Sequence, residues 1–204
     1  MKVLLINGSP HASGNTYEAL NEIATTLQAE GIAAEIVHIG IRPISGCIAC
    51  NSCAQTGRCA MNDPLYTILE AKVKECDALV VGSPVYYAGP NGALCALLDR
   101  LFYASGRHLQ YKPAASVAVC RRGGASATFD RLNKYFTINN MPIVSSQYWN
   151  SVHGAAQGEA REDAEGMQTM RTLARNMAWM LRKIAADSTQ PPKAEERIST
   201  NFIR

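Results

Sequence analysis

The 204 residues suffice for one domain core. The 47% hydrophobic and 18% charged composition leaves ample apolar surface to bury and excludes an intrinsically disordered chain. Twenty Lys and Arg against 17 Asp and Glu give a net +3, scattered rather than gathered in a stripe, which argues against nucleic acid as the main partner. No run reaches the ~18 apolar residues of a membrane span, and the apolar start breaks at Gly8 and Pro10 without a signal-peptide pattern, so no membrane association and a cytoplasmic location are expected.

In chain order, Lys2 to Ile6 reads as a buried strand that breaks at Asn7-Gly8-Ser9-Pro10. Leu20, Ile23, Ala24 and Leu27 then mark a helix from Asn15 to Gly31, with Asn15 and Glu18 spaced as a capping box. Residues 33–39, 78–82 and 115–120 read as further strands. Leu94, Leu97, Leu98 and Leu101 mark a second helix, and Phe129, Leu132 and Phe136 a third. Met141 to Val144, running toward Trp149, supplies the fifth strand, and Met167 to Ile184 a long last helix. Strands alternating with helices predict an α/β fold: a doubly wound, five-stranded parallel sheet of order 2-1-3-4-5 with helices on both faces. The expected domain spans residues 1–186, with a cysteine-rich insertion at 40–63 and a C-terminal arm at 187–204.

In such a sheet, ligands sit beyond the C-terminal ends of the strands. The first loop there, Gly8 to Thr16, is rich in small and hydroxyl residues and opens a helix, which suits a phosphate; turn and cap formation alone would also explain it. It has no Walker lysine and no G-x-G-x-x-G, which excludes a P-loop nucleotidase. The second, Gly82 to Gly92, offers Tyr86 and Tyr87 on a proline- and glycine-shaped backbone, which suits a flat heteroaromatic ring. The third, Arg121 to Gly124, would bring backbone and two cations near that ring. A phosphate cradle after strand one and a ring turn after strand three together describe FMN at the switch point.

With Gly8-Ser9-Pro10, Ser13, Asn15 and Thr16, then Gly82 to Tyr87, then Leu98-Asp99-Arg100, the sequence resembles the flavodoxin-like NAD(P)H-dependent FMN reductase family. The resemblance implies that Ser9, His11, Ser13, Asn15 and Thr16 hold the FMN phosphate. It places Pro84, Val85, Tyr86 and Tyr87 along the isoalloxazine; Arg121 and Gly123 are expected near the same ring only from their place in the third loop. NAD(P)H would be the reductant and a quinone, flavin, nitro or azo compound the small-molecule electron acceptor. No side chain is singled out as catalytic. A homodimer or homotetramer is expected, since Ile198, Phe202 and Ile203 on the arm cannot form a core of their own.

Cys47-x2-Cys50-x2-Cys53-x5-Cys59 matches the start of a ferredoxin-type run better than a zinc site, whose pairs lie farther apart. It also resembles the motif of the iron-sulfur flavoprotein branch, which implies a 4Fe-4S cluster and electron transfer. Free thiols bordering the flavin are the alternative, and a non-redox module that senses flavin or metal is a third reading. Cys76, Cys95 and Cys120 are expected as inert core residues, and His38, His108 and His153 as structural or surface residues.

Overall fold

A computed structural model describes residues 1–193, 195, 196, 198 and 200. Its strands are β1 (Lys2–Asn7), β2 (Ala33–His38), β3 (Ala78–Tyr86), β4 (Gly89–Pro90), β5 (Ala114–Cys120) and β6 (Ser151–His153). The helices are α1 (Asn15–Ala29), α2 (Ser52–Thr56), α3 (Pro64–Glu75), α4 (Gly92–Ser105), α5 (Ala125–Thr137) and α6 (Ala164–Ala186). The parallel strands follow the order β2-β1-β3-β5-β6, the expected doubly wound order, and β4 adds a short antiparallel pair to β3.

The period of two along β1 decides what each face buries. Val3 and Leu5 pack with Leu20, Ile23 and Leu27 of α1 and with Met170, Leu173 and Met177 of α6. Leu4 and Ile6 face Leu69 of α3, Leu97 and Leu98 of α4 and Phe136 of α5. Two helices thus cover one face and three the other, so the sheet is the middle of a three-layer sandwich.

Three expectations are corrected, and one helix is added. The Asn15–Glu18 capping box does not form: the N-cap is Gly14 without a side-chain bond, and Glu18 takes two bonds from Arg161 at 2.6 and 2.7 Å. Met141 to Val144 is not the fifth strand. Only Ile143 bridges to Ala114, and the chain leaves the sheet at Ser145 and rejoins it as β6. Pro142 offers no N–H, so a continuous ladder there lacks a donor. The turn after β3 is not a plain loop, because β3 runs on to Tyr86 and pairs Val85 with Pro90 and Tyr86 with Gly89. Helix α3, unmarked in the sequence reading, starts at Pro64 with Asp63 capping Tyr66 N at 3.0 Å.

Among the arm residues, Ile198 is almost fully exposed; Phe202 and Ile203 lie outside the described residues. No described helix is long and apolar enough to cross a membrane.

Candidate functional site

At the C-terminal edge of the sheet, the ends of β1, β3, β5 and β6 enclose a cleft of about 330 Å³, within the size range of cofactor sites. The loop after β1 contributes Ser9, His11, Gly14, Asn15 and Thr16. Across from it stand Pro84, Val85 and Tyr86 of β3. Cys120 and Arg121 close the third side, and Gly154 and Ala155, which sequence reasoning missed, close the fourth.

The anion end of the cleft is built from backbone and hydroxyls. Because no side chain caps α1, the first-turn N–H groups of Asn15, Thr16 and Tyr17 remain donors, aligned with the positive end of the helix dipole. Ser9 is buried, accepts from His11 N at 3.1 Å through its hydroxyl, and donates its own N–H to Asn7 Oδ1 at 3.1 Å. Beneath it, the fully buried Asn7 Nδ2 has no partner among the described residues. His38 is structural: its Nε2 donates to Ser9 O at 2.8 Å, tying β2 to the loop. Asn15 lines the cleft, yet its amide is engaged, donating to Ala156 O at 2.8 Å and accepting from Gly158 N and Ala160 N at 3.0 and 3.2 Å. Ser13 is exposed and meets Gln157 Nε2 at 3.2 Å. These two residues hold the far wall.

One buried amide couples the first two loops. Asn91 Nδ2 donates to Gly8 O at 2.7 Å, its Oδ1 caps α4 at Ala93 N at 3.0 Å, and its N–H donates to Ser83 Oγ at 2.9 Å. A Cβ on Gly8 would lie 2.8 Å from Gly82 O, so glycine alone permits this close approach. Past Tyr86, both Tyr87 (φ +49°) and Ala88 (φ +58°) are left-handed, the signs of a type I′ hairpin normally made by Asn-Gly. Tyr87 projects from the hairpin tip, fully exposed and outside the cleft lining. Gly124 (φ +94°), and not Gly123, carries the constraint in the third loop, since a Cβ there would meet Ala88 Cα at 2.7 Å. Gly123 lines a neighbouring cavity instead.

The four clustered cysteines follow β2 and so lie on the same edge of the sheet. Cys47, Cys50, Cys53 and Cys59 all line one cavity of about 20 Å³, together with Arg100, Tyr103 and Met61. Ala49 and Asn51 are left-handed, and Ala49 N donates to Cys47 Sγ at 3.5 Å. Arg100 is buried against this cavity, pairs with Asp63 at 2.7 Å, donates to Met61 O at 2.5 Å and lies over the Tyr66 ring. Burial opposes its charge, but Cys59 and Asp63 outweigh that, and its pKa lies above the ordinary arginine value. Number and type of the thiols fit a thiolate-ligated iron centre, but their arrangement does not. The space is closed to anything larger than a water, and among the described residues no three His, Cys, Asp or Glu side chains stand in metal-holding geometry. Cys76, by contrast, is buried with its thiol pushed up to about 11 by desolvation, and burial also raises Cys95 and Cys120.

Residues 1–156 match the model of a family described as NADPH-dependent FMN reductase. An iron-sulfur flavoprotein of Methanocaldococcus jannaschii is 33% identical over 192 residues, covering 90% of this chain and 99% of that one. One from Methanosarcina thermophila is 27% identical over 188 residues, covering 90% and 97%. The fold resembles that of RosB, solved with 8-demethyl-8-formylriboflavin-5′-phosphate, at a TM-score of 0.72 and 15% identity over 100% of this chain and 96% of that one.

Proposed function

Because this chain belongs to the NADPH-dependent FMN reductase family, near its iron-sulfur flavoprotein branch, we propose that this oxidoreductase binds FMN in the cleft between β1, β3, β5 and β6. In this reading it passes reducing equivalents from NAD(P)H to a small acceptor such as a quinone, flavin, nitro or azo compound. The observation that carries it is the cleft itself: an uncapped helix N-terminus with Ser9 and Thr16 at one end, and Pro84, Val85 and Tyr86 at the other. The first-turn amides and the two hydroxyls hold the phosphate. His11 adds a hydrogen bond at the rim, while Ser13 and Asn15 position the wall through residues 156–160. Pro84, Val85 and Tyr86 border the ring, with Arg121 across from them. When bound, FMN supplies hydride acceptance from NAD(P)H and delivery of two electrons, with protons from solvent, to the acceptor.

Replacing Ser9 and Thr16 with alanine removes two donors to a charged acceptor, and FMN affinity should fall at least about tenfold. Native FMN occupancy in the double variant, read from the flavin absorbance, would place the phosphate elsewhere.

A second reading, a 4Fe-4S electron-transfer centre on Cys47, Cys50, Cys53 and Cys59, is supported by the spacing of the four cysteines and by all four residues lining one cavity beside Arg100. Relatives that carry the name iron-sulfur flavoprotein lend it support. Anaerobically prepared protein should then contain iron and acid-labile sulfide, and Cys50→Ala should abolish both while FMN stays bound. Unmutated protein without iron leaves the cysteines as thiols near the flavin.

A further inference from the structure

A phosphate monoester carries about −1.5 to −2 charges at neutral pH, yet the loop that would receive it, Gly8 to Thr16, contains neither lysine nor arginine. His11 is the one titratable group of that loop, and the residues that line the cleft include no Asp or Glu. The α1 N-terminus offers only about half a positive charge. The first loop therefore lacks a fixed cation for its ligand.

Among the described residues, the loops around the cleft hold three arginines. Arg161 is spent on Glu18, whose carboxylate it meets at 2.6 and 2.7 Å, which also cancels the acid in the first turn of α1. Arg122 lines the neighbouring cavity and not the cleft. Arg121 lines the cleft, is exposed, and has no ion pair or side-chain hydrogen bond among the described residues. Two observations put its charge on the phosphate side. Along β5, Ala115, Val117 and Val119 belong to the core shared with Leu20 and Ile23 of α1, and the same alternation carried past the strand end turns residue 121 toward α1. Independently, Arg121 acts on Glu159: the bonds from Ala155 N and Ala156 N at 2.6 and 2.9 Å hold that carboxyl below its ordinary value, and the charge of Arg121 lowers it further. Glu159 belongs to the turn that Asn15, the first residue of α1, clamps through Ala156, Gly158 and Ala160.

We propose that Arg121 is the counter-charge of the FMN phosphate, and that through it the cleft selects the phosphorylated flavin over riboflavin. The inference rests on the FMN reading of the cleft. The cation of the third loop then serves the end of the cofactor remote from the ring that Pro84, Val85 and Tyr86 border. A guanidinium presents paired N–H donors to two phosphate oxygens, whereas lysine reproduces the charge without that geometry.

The test is equilibrium binding of FMN and of riboflavin to the full-length protein freed of flavin, read from flavin fluorescence. Arg121→Ala should weaken FMN about tenfold or more and leave riboflavin within about twofold, because only FMN carries the phosphate. Arg121→Lys should recover part of the FMN loss. Added salt should weaken FMN in the wild type and less so in Arg121→Ala, a comparison that decides the matter where riboflavin binds too weakly to measure. FMN affinity in Arg121→Ala within about twofold of wild type overturns the proposal, as does an unchanged salt dependence. An equal loss for FMN and riboflavin also overturns it, since the cation would then act on the ring or the wall. If the wild type binds riboflavin as tightly as FMN, the proposal falls while a flavin site stands. If it binds neither, the FMN reading itself fails and the inference with it.

Discussion

At the scale of single residues, the cleft depends on groups whose importance no sequence pattern announces. Asn91 joins the β1 loop, the β3 turn and helix α4 through three hydrogen bonds. Asn91→Ala removes a helix cap and orphans the buried Gly8 carbonyl, a loss of about 2–4 kcal/mol. The melting temperature should drop by about 5–10 °C, measurable by calorimetry, and FMN should be retained less well. An unchanged melting temperature would show that the two loops hold together without it. In the sequence, Asn91 reads as one more polar residue of a Gly-Pro-rich turn, because its partners lie at Gly8 and Ser83 and only the folded sheet brings them together. That Ser9, Thr16, Pro84, Val85 and Tyr86 line one cleft was foreseeable because each lies at or beyond the C-terminal end of β1 or β3, the ligand-binding edge. Gly123 and Gly124 could not be told apart there, since only φ decides which one requires glycine.

At the scale of elements, helix starts depend on acids that sequence order alone misassigns. Asp63 and Asp163 cap α3 and α6, while the expected cap at Asn15 serves a distant loop instead. Asp163 accepts from Gly166 N at 2.9 Å and from His153 N at 2.7 Å, so it anchors both α6 and the edge strand β6. Burial works against its charge, but the bonds from Gly166 and His153 prevail and hold its carboxyl below the ordinary 3.8. A depressed carboxyl stabilises the fold above its unfolded pKa, and the contribution disappears as pH falls through the lower folded value. Urea midpoints should therefore show wild type more stable than Asp163→Asn near pH 7, with the gap closing below about pH 4. A gap that stays constant down to about pH 3 would mean that the charge has no part in it. The β6 strand was misplaced in the sequence for a related reason: Met141 to Val144 is the more apolar segment, but hydrophobicity reports burial, and both Met141 and Val144 are buried without belonging to a strand.

At the scale of the whole molecule, the α/β alternation and the strand order were legible because each parallel crossover needs a helix and buried strands read as apolar runs. The assembly depends instead on exposed surfaces. Ile41, Ile48, Tyr87 and Tyr103 are all exposed, and three of them lie in or against the segments that follow β2 and β3. We propose that these apolar groups are covered by a second copy of the chain. Light scattering should give a multiple of 22.1 kDa, and a mass near 22.1 kDa overturns the expectation.

The clamp that Asn15 makes on Ala156, Gly158 and Ala160 spans sequence separations of 141 to 145 residues. During synthesis the phosphate loop leaves the ribosome first, but the wall it leans on is made after three quarters of the chain. In the proposed reading, the opening segment carries the phosphate groups but lacks the far wall of the cleft until that wall has been made. If FMN binds in this cleft, a complete pocket exists only once β6 and the turn behind it have docked, so bound cofactor would add its stability to the finished fold alone.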